Sequence, residues 1–259
     1  TISLNANIYS VFSGMIKEQV PGQIFPVEIR HRVESSAFTV YSILSTGESG
    51  VSSEHLPLCQ FNDEMLAPQN SVHFKVHAAK ILFLIPINGP LQYTGPNKHS
   101  YSLGPGALFI QELADGDVGE ITNLHTKEPV NYIRIVTESD AVFPVSSQIN
   151  FYNTDIAHYR NKMTEVFQIG HPAIASSFKK VSVGKLFSRA NATYTLQNSV
   201  NMKCFLYVIE GEAEADGRLL HTRDGLILWN TSSIALEALS HTAVVLVVEY
   251  GYPISKRLI

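Results

Sequence analysis

The clearest pattern of apolar and polar positions in the chain lies at residues 204–217, CFLYVIEGEAEADG. Residues 205–209 are apolar at every position, as expected for a strand that is buried on both faces. Beyond them the sequence alternates, with acidic side chains on one face and Gly or Ala on the other. Asp216-Gly217 is a typical hairpin turn. The stretch therefore predicts a buried strand that leads into a half-exposed hairpin.

Short apolar runs separated by Gly and Pro turns predict strands along most of the chain. They lie at residues 23–29, 37–44, 72–76, 80–87, 91–94, 107–113, 131–137, 205–209, 226–229 and 244–248. Two segments differ from this pattern. Residues 45–71 are rich in Ser, Gly, Asn and Pro and predict a long surface loop, whereas residues 153–168 have helix-like spacing and predict one helix.

The two halves of the chain resemble each other. ILFLIPING at residues 81–89 parallels FLYVIEG at 205–211, and GALFI at 106–110 parallels GLILW at 225–229. Two copies of one β unit explain this similarity, with residues 138–150 as a connection. Evenly spaced short strands with Gly turns are typical of jelly-roll barrels of the cupin type. We therefore predict an all-β fold of two tandem cupin (double-stranded β-helix, jelly-roll) barrels, residues 1–140 and 141–259.

Composition restricts the classes of partner. The chain has 259 residues, 45% hydrophobic and 16% charged, which is enough apolar material for a sizeable core. A net charge of −4 argues against a nucleic acid or an anionic membrane as partner, since both require a clustered basic face. No apolar run is long enough to cross a bilayer, and two cysteines are too few for a disulfide framework. We expect a soluble cytoplasmic protein, whose oligomeric state the sequence does not indicate.

Two stretches of the second half, YVIEGEAEADGRLLHTRDGLILW and IALEALSHTAVVLVVE, resemble the C-terminal cupin of the pirin family. The first half resembles the pirin N-terminal cupin more loosely, chiefly at residues 84–89 and 103–110. The resemblance implies a metal, usually iron, in the first barrel, held by a His-Pro-His motif and a later His-x-Glu pair. It also implies either ring-opening dioxygenase activity on quercetin-type flavonols or a regulatory role.

The ligand motif of that family is only partly matched. Counted back from Gly89, His77 stands where the second histidine belongs, and Lys75 stands where the first belongs. Glu120 is the candidate from the later pair, without a histidine beside it. The resemblance therefore implies a degenerate metal site, in which Lys75 pairs with Glu120 or Glu112 across the barrel. We expect no metal; if one binds, its ligands are His77 and Glu120.

The remaining histidines do not make a metal site by their spacing. His73 and His77 alternate with apolar residues as in a strand, which separates their α-carbons by roughly 13 Å. Metal–nitrogen bonds are about 2 Å long, so the two side chains cannot share an ion. We interpret them as part of a polar strand face with Lys75. His55 and Cys59, near Asp63 and Glu64, are expected in a solvated loop, with a zinc site as the alternative.

Three functions follow as hypotheses. The first is a protein without catalytic residues or cofactor that binds a small molecule in the first barrel, in a pocket formed by Lys75, His77, Glu112 and Glu120. The second is a metal-dependent dioxygenase of quercetinase type, with iron or another divalent metal and an altered ligand set that includes His77 and Glu120. The third is a regulatory or interaction protein that uses the groove between the two barrels.

Overall fold

The structure, a computed structural model, describes residues 19–45, 58–139, 149–153, 160–168, 178–196 and 202–251. Within these ranges the chain forms β-strands and one short 3-10 turn (Val27–Ile29), and it contains no α-helix. The predicted all-β class is confirmed. None of the described segments is a helix that is long and apolar enough to span a membrane.

The strands up to residue 138 are β1 (Gly22–Phe25), β2 (His31–Glu34), β3 (Phe38–Ser45), β4 (Leu58–Leu66), β5 (Ser71–Lys75), β6 (Lys80–Asn88), β7 (Leu91–Thr94), β8 (Ser100–Leu103), β9 (Ala107–Leu113), β10 (Val118–Thr122) and β11 (Val130–Glu138). The later strands are β12 (Ile149–Asn153), β13 (Met163–Gln168), β14 (Phe178–Phe187), β15 (Asn191–Thr195), β16 (Met202–Glu210), β17 (Ala213–Ala215), β18 (Arg218–Leu220), β19 (Gly225–Trp229), β20 (Ser233–Ala238) and β21 (Thr242–Gly251).

These strands form two jelly-roll barrels, each made of one large and one small antiparallel sheet. The first barrel has the large sheet β12-β9-β6-β11-β4-β3-β2 and the small sheet β5-β10-β7-β8. The second has the large sheet β1-β19-β16-β21-β14-β13 and the small sheet β15-β20-β17-β18. Strands β3 to β11 and β13 to β21 have the same order in the two barrels. The internal repeat predicted from the sequence is therefore a repeat of topology.

Each large sheet takes one edge strand from outside its own half of the repeat. Strand β1 pairs with β19 of the second barrel, from Gly22 opposite Leu228 to Phe25 opposite Gly225. Strand β12 pairs with β9 of the first barrel. The chain therefore crosses between the barrels at both places. The predicted domain boundary at residues 140 and 141 lies outside the described residues and stays a prediction.

The two large sheets pack face to face, so one apolar cluster belongs to both barrels. This between-sheet core includes Phe61 and Phe83 from the first barrel and Phe205, Tyr207 and Ile209 from the second. Two further clusters fill the barrel interiors, and strand β16 contributes Leu206 and Val208 to the interior of the second barrel. The predicted alternation along residues 205–209, with both faces buried, is confirmed.

The predicted surface loop at residues 45–71 is wrong for its second half. Strand β4 occupies this stretch and lies between β11 and β3, with Phe61 and Leu66 fully buried. Its polar run Asn62-Asp63-Glu64 resembles a loop sequence, but all three side chains are buried and have partners inside the protein. Residues 46–57 lie outside the described ranges.

The predicted helix at residues 153–168 is also wrong where the structure describes it. Residues 163–168 form strand β13, which pairs antiparallel with β14, and Asn153 ends strand β12. A pattern of apolar residues that is only six positions long fits both the helical and the strand period. Pairing with a long neighbouring strand selects the extended conformation for this segment. Residues 154–159 lie outside the description.

The predicted hairpin at Asp216-Gly217 is confirmed. It joins β17 to β18, and both turn residues have positive φ angles, 49° and 74°. Positive φ at both positions is the conformation of a type I′ turn, for which Asp-Gly is a preferred sequence.

Candidate functional site

The small sheet of the first barrel has an apolar inner face and a polar outer face. On β5, Val72 and Phe74 pack against the interior cluster, whereas His73 and Lys75 are exposed. Glu120 lies directly opposite His73 on β10, and His73 Nε2 is 3.6 Å from Glu120 Oε1. The predicted polar strand face is confirmed for His73 and Lys75 and points to solvent, whereas His77 lies beyond the end of β5.

The four residues predicted to form a pocket lie in two separate places. Lys75 and Glu120 are on the outer face of the small sheet, and His77 is exposed in the turn after β5. Glu112 is on β9 and shares a face with Leu108 and Ile110, which belong to the between-sheet core. Glu120 pairs with His73 instead of Lys75. The structure therefore does not gather these side chains in the barrel interior.

Glu112 is a buried carboxyl group that lacks a hydrogen bond at Oε1. Its exposed fraction is 7%. Burial raises the pKa of Glu112 above its usual value, because the charged form loses its hydration. Its environment therefore favours the protonated, neutral form.

The described residues do not match the donor set of a cupin metal centre. Such a centre needs three or four converging nitrogen and oxygen ligands. Within the described ranges, no group of three or more His, Cys, Asp and Glu side chains could hold an ion. His55 lies outside these ranges, as does the side chain of Cys59, so the alternative zinc site stays a prediction.

The interior of the first barrel contains a carboxylate that the protein itself neutralises. Glu64 Oε1 accepts hydrogen bonds from Arg134 Nε at 2.7 Å and from Asn62 Nδ2 at 2.8 Å, and Arg134 Nη2 lies 2.6 Å from it. Tyr132 donates its hydroxyl proton to Glu64 Oε2 at 2.5 Å. Burial, and then the Glu64 charge, raise the pKa of Tyr132 well above its usual value, so the phenol remains a donor. Both carboxylate oxygens are therefore occupied.

Four aromatic rings, here called the aromatic cluster, line another part of this interior: Phe74, Tyr93, Tyr101 and Phe109. The Tyr93 ring lies near the centre, with centroids 4.9 Å from Phe109 and 6.4 Å from both Phe74 and Tyr101. Tyr93 and Phe109 are fully buried, whereas Phe74 and Tyr101 are half-buried. The cluster thus extends from the interior to the edge of the barrel.

Gln111 is the polar side chain beside this cluster. It alternates with Ile110 and Glu112 on β9 and therefore shares the inner face with Phe109. The Tyr93 hydroxyl donates to Gln111 Oε1 at 2.5 Å. Gln111 is fully buried, and its Nε2 has no hydrogen-bond acceptor.

The second barrel has a buried ion pair of its own. Lys180 Nζ lies 2.9 Å from Glu249 Oε1, and the Tyr194 hydroxyl donates to the same oxygen at 2.5 Å. Cys204, directly opposite Glu249 on β16, is fully buried. Burial, and then the charge of Glu249, raise the pKa of Cys204, which makes it an inert structural thiol.

A third polar network connects the two barrels at Asp63. Its Oδ2 accepts hydrogen bonds from Tyr207 at 2.7 Å and from Arg223 at 3.1 Å, both in the second barrel. Arg30, in the segment between β1 and β2, lies 3.5 Å from the same oxygen. Asn131 donates to Oδ1 at 2.6 Å. Asp63 is therefore a charged link between the barrels and not a surface residue.

Sequence reasoning missed Asp63, Glu64, Gln111 and Arg134 as buried groups. A usable signal was present: Arg134 stands in the run Ile133-Arg134-Ile135-Val136, where its neighbours are aliphatic. The acidic run of β4 is likewise flanked by Phe61 and Leu66. A single charge inside an apolar run indicates a buried pair, because a lone buried charge is too costly.

Comparison with known proteins gives matches to cupins. Residues 178–249 match the family model of the quercetinase C-terminal cupin domain. No curated protein sequence matches the chain. Among solved structures, YhhW from Escherichia coli has a TM-score of 0.74 at 13% identity, covering 88% of this chain and 97% of that one.

Two other solved structures extend this comparison. The nickel(II) complex of the bacterial pirin YhhW from Escherichia coli has a TM-score of 0.73 at 13% identity and covers 90% of this chain and 100% of that chain. Quercetin 2,3-dioxygenase from Acinetobacter baumannii has a TM-score of 0.67 at 12% identity, and the match covers 89% of this chain and 79% of that chain. At these identities the likeness is one of fold.

Proposed function

We propose that this pirin-like bicupin of the cupin superfamily binds a small molecule in its first barrel, without a metal centre and without catalytic residues. The observation that carries the proposal is the state of Glu64. The carboxylate inside the barrel is neutralised by Arg134 and hydrogen-bonded by Asn62 and Tyr132. Its oxygens are not free to bind a cation, and the guanidinium next to them repels one.

The positions that match the family motif support the same proposal. Lys75 and His77 are exposed, and Glu120 pairs with His73 on the outer face of the small sheet. A nickel(II) complex and a quercetin dioxygenase share the fold, but a fold does not determine an activity. The chemistry that remains for the first barrel is binding, by an aromatic cluster and a free amide donor.

The metal test uses full-length protein purified without an affinity tag, and elemental analysis for iron, nickel and zinc. We expect far less than one metal ion per chain. In the same preparation, turnover of quercetin in air should not exceed the buffer blank. Stoichiometric metal that is lost in His77→Ala would overturn the proposal and restore the dioxygenase hypothesis.

The binding test is a fragment screen monitored by NMR of the tyrosine ring signals. Fragments that bind in the first barrel should shift the signals of Tyr93 and Tyr101. Tyr250, buried in the between-sheet core, serves as the internal control. Shifts at Tyr250 alone would favour the groove between the barrels, and the absence of any shift would contradict binding in the first barrel.

A further inference from the structure

We propose that the outer side of strand β2 (His31–Glu34), here called the β2 edge, pairs antiparallel with the β2 edge of a second copy of this chain. Strand β2 is the last strand of the large sheet of the first barrel, and all four of its residues are exposed. It pairs with β3 on one side, and no strand among the described residues pairs with its other side. The proposal concerns the outside of the barrel and is independent of the proposed function.

The direction of the backbone groups of β2 follows from the turn that joins it to β3. The Ser35 N–H donates to the carbonyl oxygen of Phe38 at 2.8 Å, so these residues are a hydrogen-bonded pair. Pairs along an antiparallel ladder alternate between hydrogen-bonded and non-hydrogen-bonded. Val33 therefore bonds to β3, whereas Arg32 and Glu34 direct their N–H and C=O groups away from the sheet. These outward groups are a template for a further strand.

The charges on β2 select one register for two copies of the strand. In an antiparallel pair, outward-facing residues of one strand lie opposite outward-facing residues of the other. A register with Arg32 opposite Arg32, or with Glu34 opposite Glu34, opposes like charges and is unfavourable. With Arg32 opposite Glu34 of the second copy, both pairs join opposite charges, and every outward N–H and C=O group of these residues is hydrogen-bonded.

Val33 lies at the centre of this register. Its exposed fraction is 43%, although it is a large apolar residue within a strand. The Val33 side chains of the two copies meet as a non-hydrogen-bonded pair, the type in which side chains are closest. Arg32 Nη2 is already 2.6 Å from Glu34 Oε2, and the Arg32 guanidinium lies 5.6 Å from the centre of the Tyr41 ring. The charged side chains are therefore positioned before the copies associate.

The self-complementary pattern indicates a second copy of the chain as the partner. An interface with two-fold symmetry places residue i opposite j and residue j opposite i, which Arg32 and Glu34 satisfy. Edge strands that avoid association commonly carry lysine, proline or a bulge, and His31–Glu34 has none of these. Because the strand is short, the interface is small, and we expect a weak dimer with a micromolar dissociation constant.

The test is sedimentation of the full chain at micromolar to millimolar concentrations, where the mass should rise from one chain to two. Arg32→Glu leaves two acidic side chains on the β2 edge, and Glu34→Arg leaves two basic ones. Each variant alone should bind itself about tenfold more weakly or worse, because like charges then lie opposite each other. An equal mixture of the two variants should form a heterodimer, and the double variant with both changes should dimerise again.

The matched control for charge reversal is Arg189→Glu. Arg189 forms an exposed ion pair with Glu237 at 3.0 Å in the second barrel, away from the β2 edge. This variant should dimerise like the original chain. Circular dichroism of all variants should be unchanged, because the substituted side chains are at the surface.

A cysteine substitution tests the register without changing a charge. In the proposed dimer the two α-carbons at residue 33 are about 4.5 Å apart, which suits a disulfide. Val33→Cys should therefore form a disulfide-linked dimer in air. His31→Cys should not, because its two copies are displaced by roughly 13 Å along the strands.

The outcomes decide between this edge and other contacts. A chain that sediments as a monomer at every concentration would overturn the proposal. A dimer that is equally strong in Arg32→Glu would place the interface elsewhere and would also overturn it. Loss of the dimer in both single variants without recovery in their mixture would contradict the pairing of Arg32 with Glu34. None of these results bears on ligand binding inside the first barrel.

Discussion

At the residue scale, the direction of each strand side chain decides whether it belongs to a barrel interior, to the between-sheet core or to solvent. On β9, Gln111 faces the first barrel and Glu112 faces the second, so adjacent polar residues enter different environments. Each has one polar atom without a partner. Buried groups of this kind reduce stability unless something else binds them.

The buried carboxyl group of Glu112 leads us to predict how the stability of the fold depends on pH. Because its pKa in the folded state is raised, the fold favours the protonated carboxyl. At a pH well below the usual pKa of 4.5, Glu112 is protonated in both the folded and the unfolded chain. As the pH rises through the raised pKa of the folded state, stability is lost. Glu112→Gln should therefore be more stable than the original chain at pH 7, by about 1 kcal/mol, and this gain should shrink towards pH 4.

The measurement is urea unfolding at several pH values. Glu210→Gln, at the exposed end of β16, controls for the loss of one negative charge. A gain in Glu112→Gln that is constant from pH 4 to pH 7 would show that titration of Glu112 is not its origin.

At the element scale, turns with positive φ fix how the strands of the second barrel meet. Gly211 follows β16 with φ at 75°, and Gly217 lies in the β17–β18 hairpin with φ at 74°. A side chain at residue 211 would overlap the carbonyl oxygen of Thr242 and the hydroxyl of Ser240, whereas the space around residue 217 is open. The two glycines share a backbone conformation and differ in their surroundings.

This difference predicts unequal effects of the same substitution. Gly217→Ala should cost about 1–2 kcal/mol of unfolding free energy, from the left-handed backbone alone. Gly211→Ala adds a steric conflict with backbone atoms and should cost about 2–5 kcal/mol in total. Urea titration of both variants measures the two losses of unfolding free energy. Equal losses would mean that β16 and β21 separate at little cost at this point.

At the scale of the whole molecule, the two barrels behave as one unit because they share a core and a charged link. Asp63 Oδ2 contacts Arg30, whose side chain is 3% exposed, and Arg223, whose side chain is 25% exposed. The edge strand β1 adds backbone pairing to the second barrel. Separating the barrels would expose the between-sheet core and leave buried charges unpaired.

Asp63→Asn should therefore destabilise the whole chain. It keeps the shape of the side chain but leaves two guanidinium groups without their carboxylate, which should cost about 3–5 kcal/mol. Glu34→Gln is the matched control: its pair with Arg32 is about half exposed and should be worth about 0–1 kcal/mol. The unfolding transitions followed by Trp229 fluorescence and by circular dichroism should coincide. Equal losses of unfolding free energy in Asp63→Asn and Glu34→Gln would contradict a buried link.

The all-β class and the internal repeat follow from local patterns in the amino-acid sequence. Apolar runs such as residues 205–209 exclude solvent on both faces, and Asp216-Gly217 has one favoured turn, so these elements depend on local chemistry. The same applies to the polar face at His73 and Lys75, where alternation alone separates the two sides of a strand.

The positions of the buried polar groups, in contrast, depend on contacts that form only in the assembled fold. The run Asn62-Asp63-Glu64 resembles a loop until Arg134, Tyr132 and Arg223, distant in the chain, are placed beside it. Edge strands β1 and β12 likewise find their sheets only in the assembled fold. Burial of a charge is favourable only when its partner is present, and partners up to 160 residues apart are not visible in a local pattern.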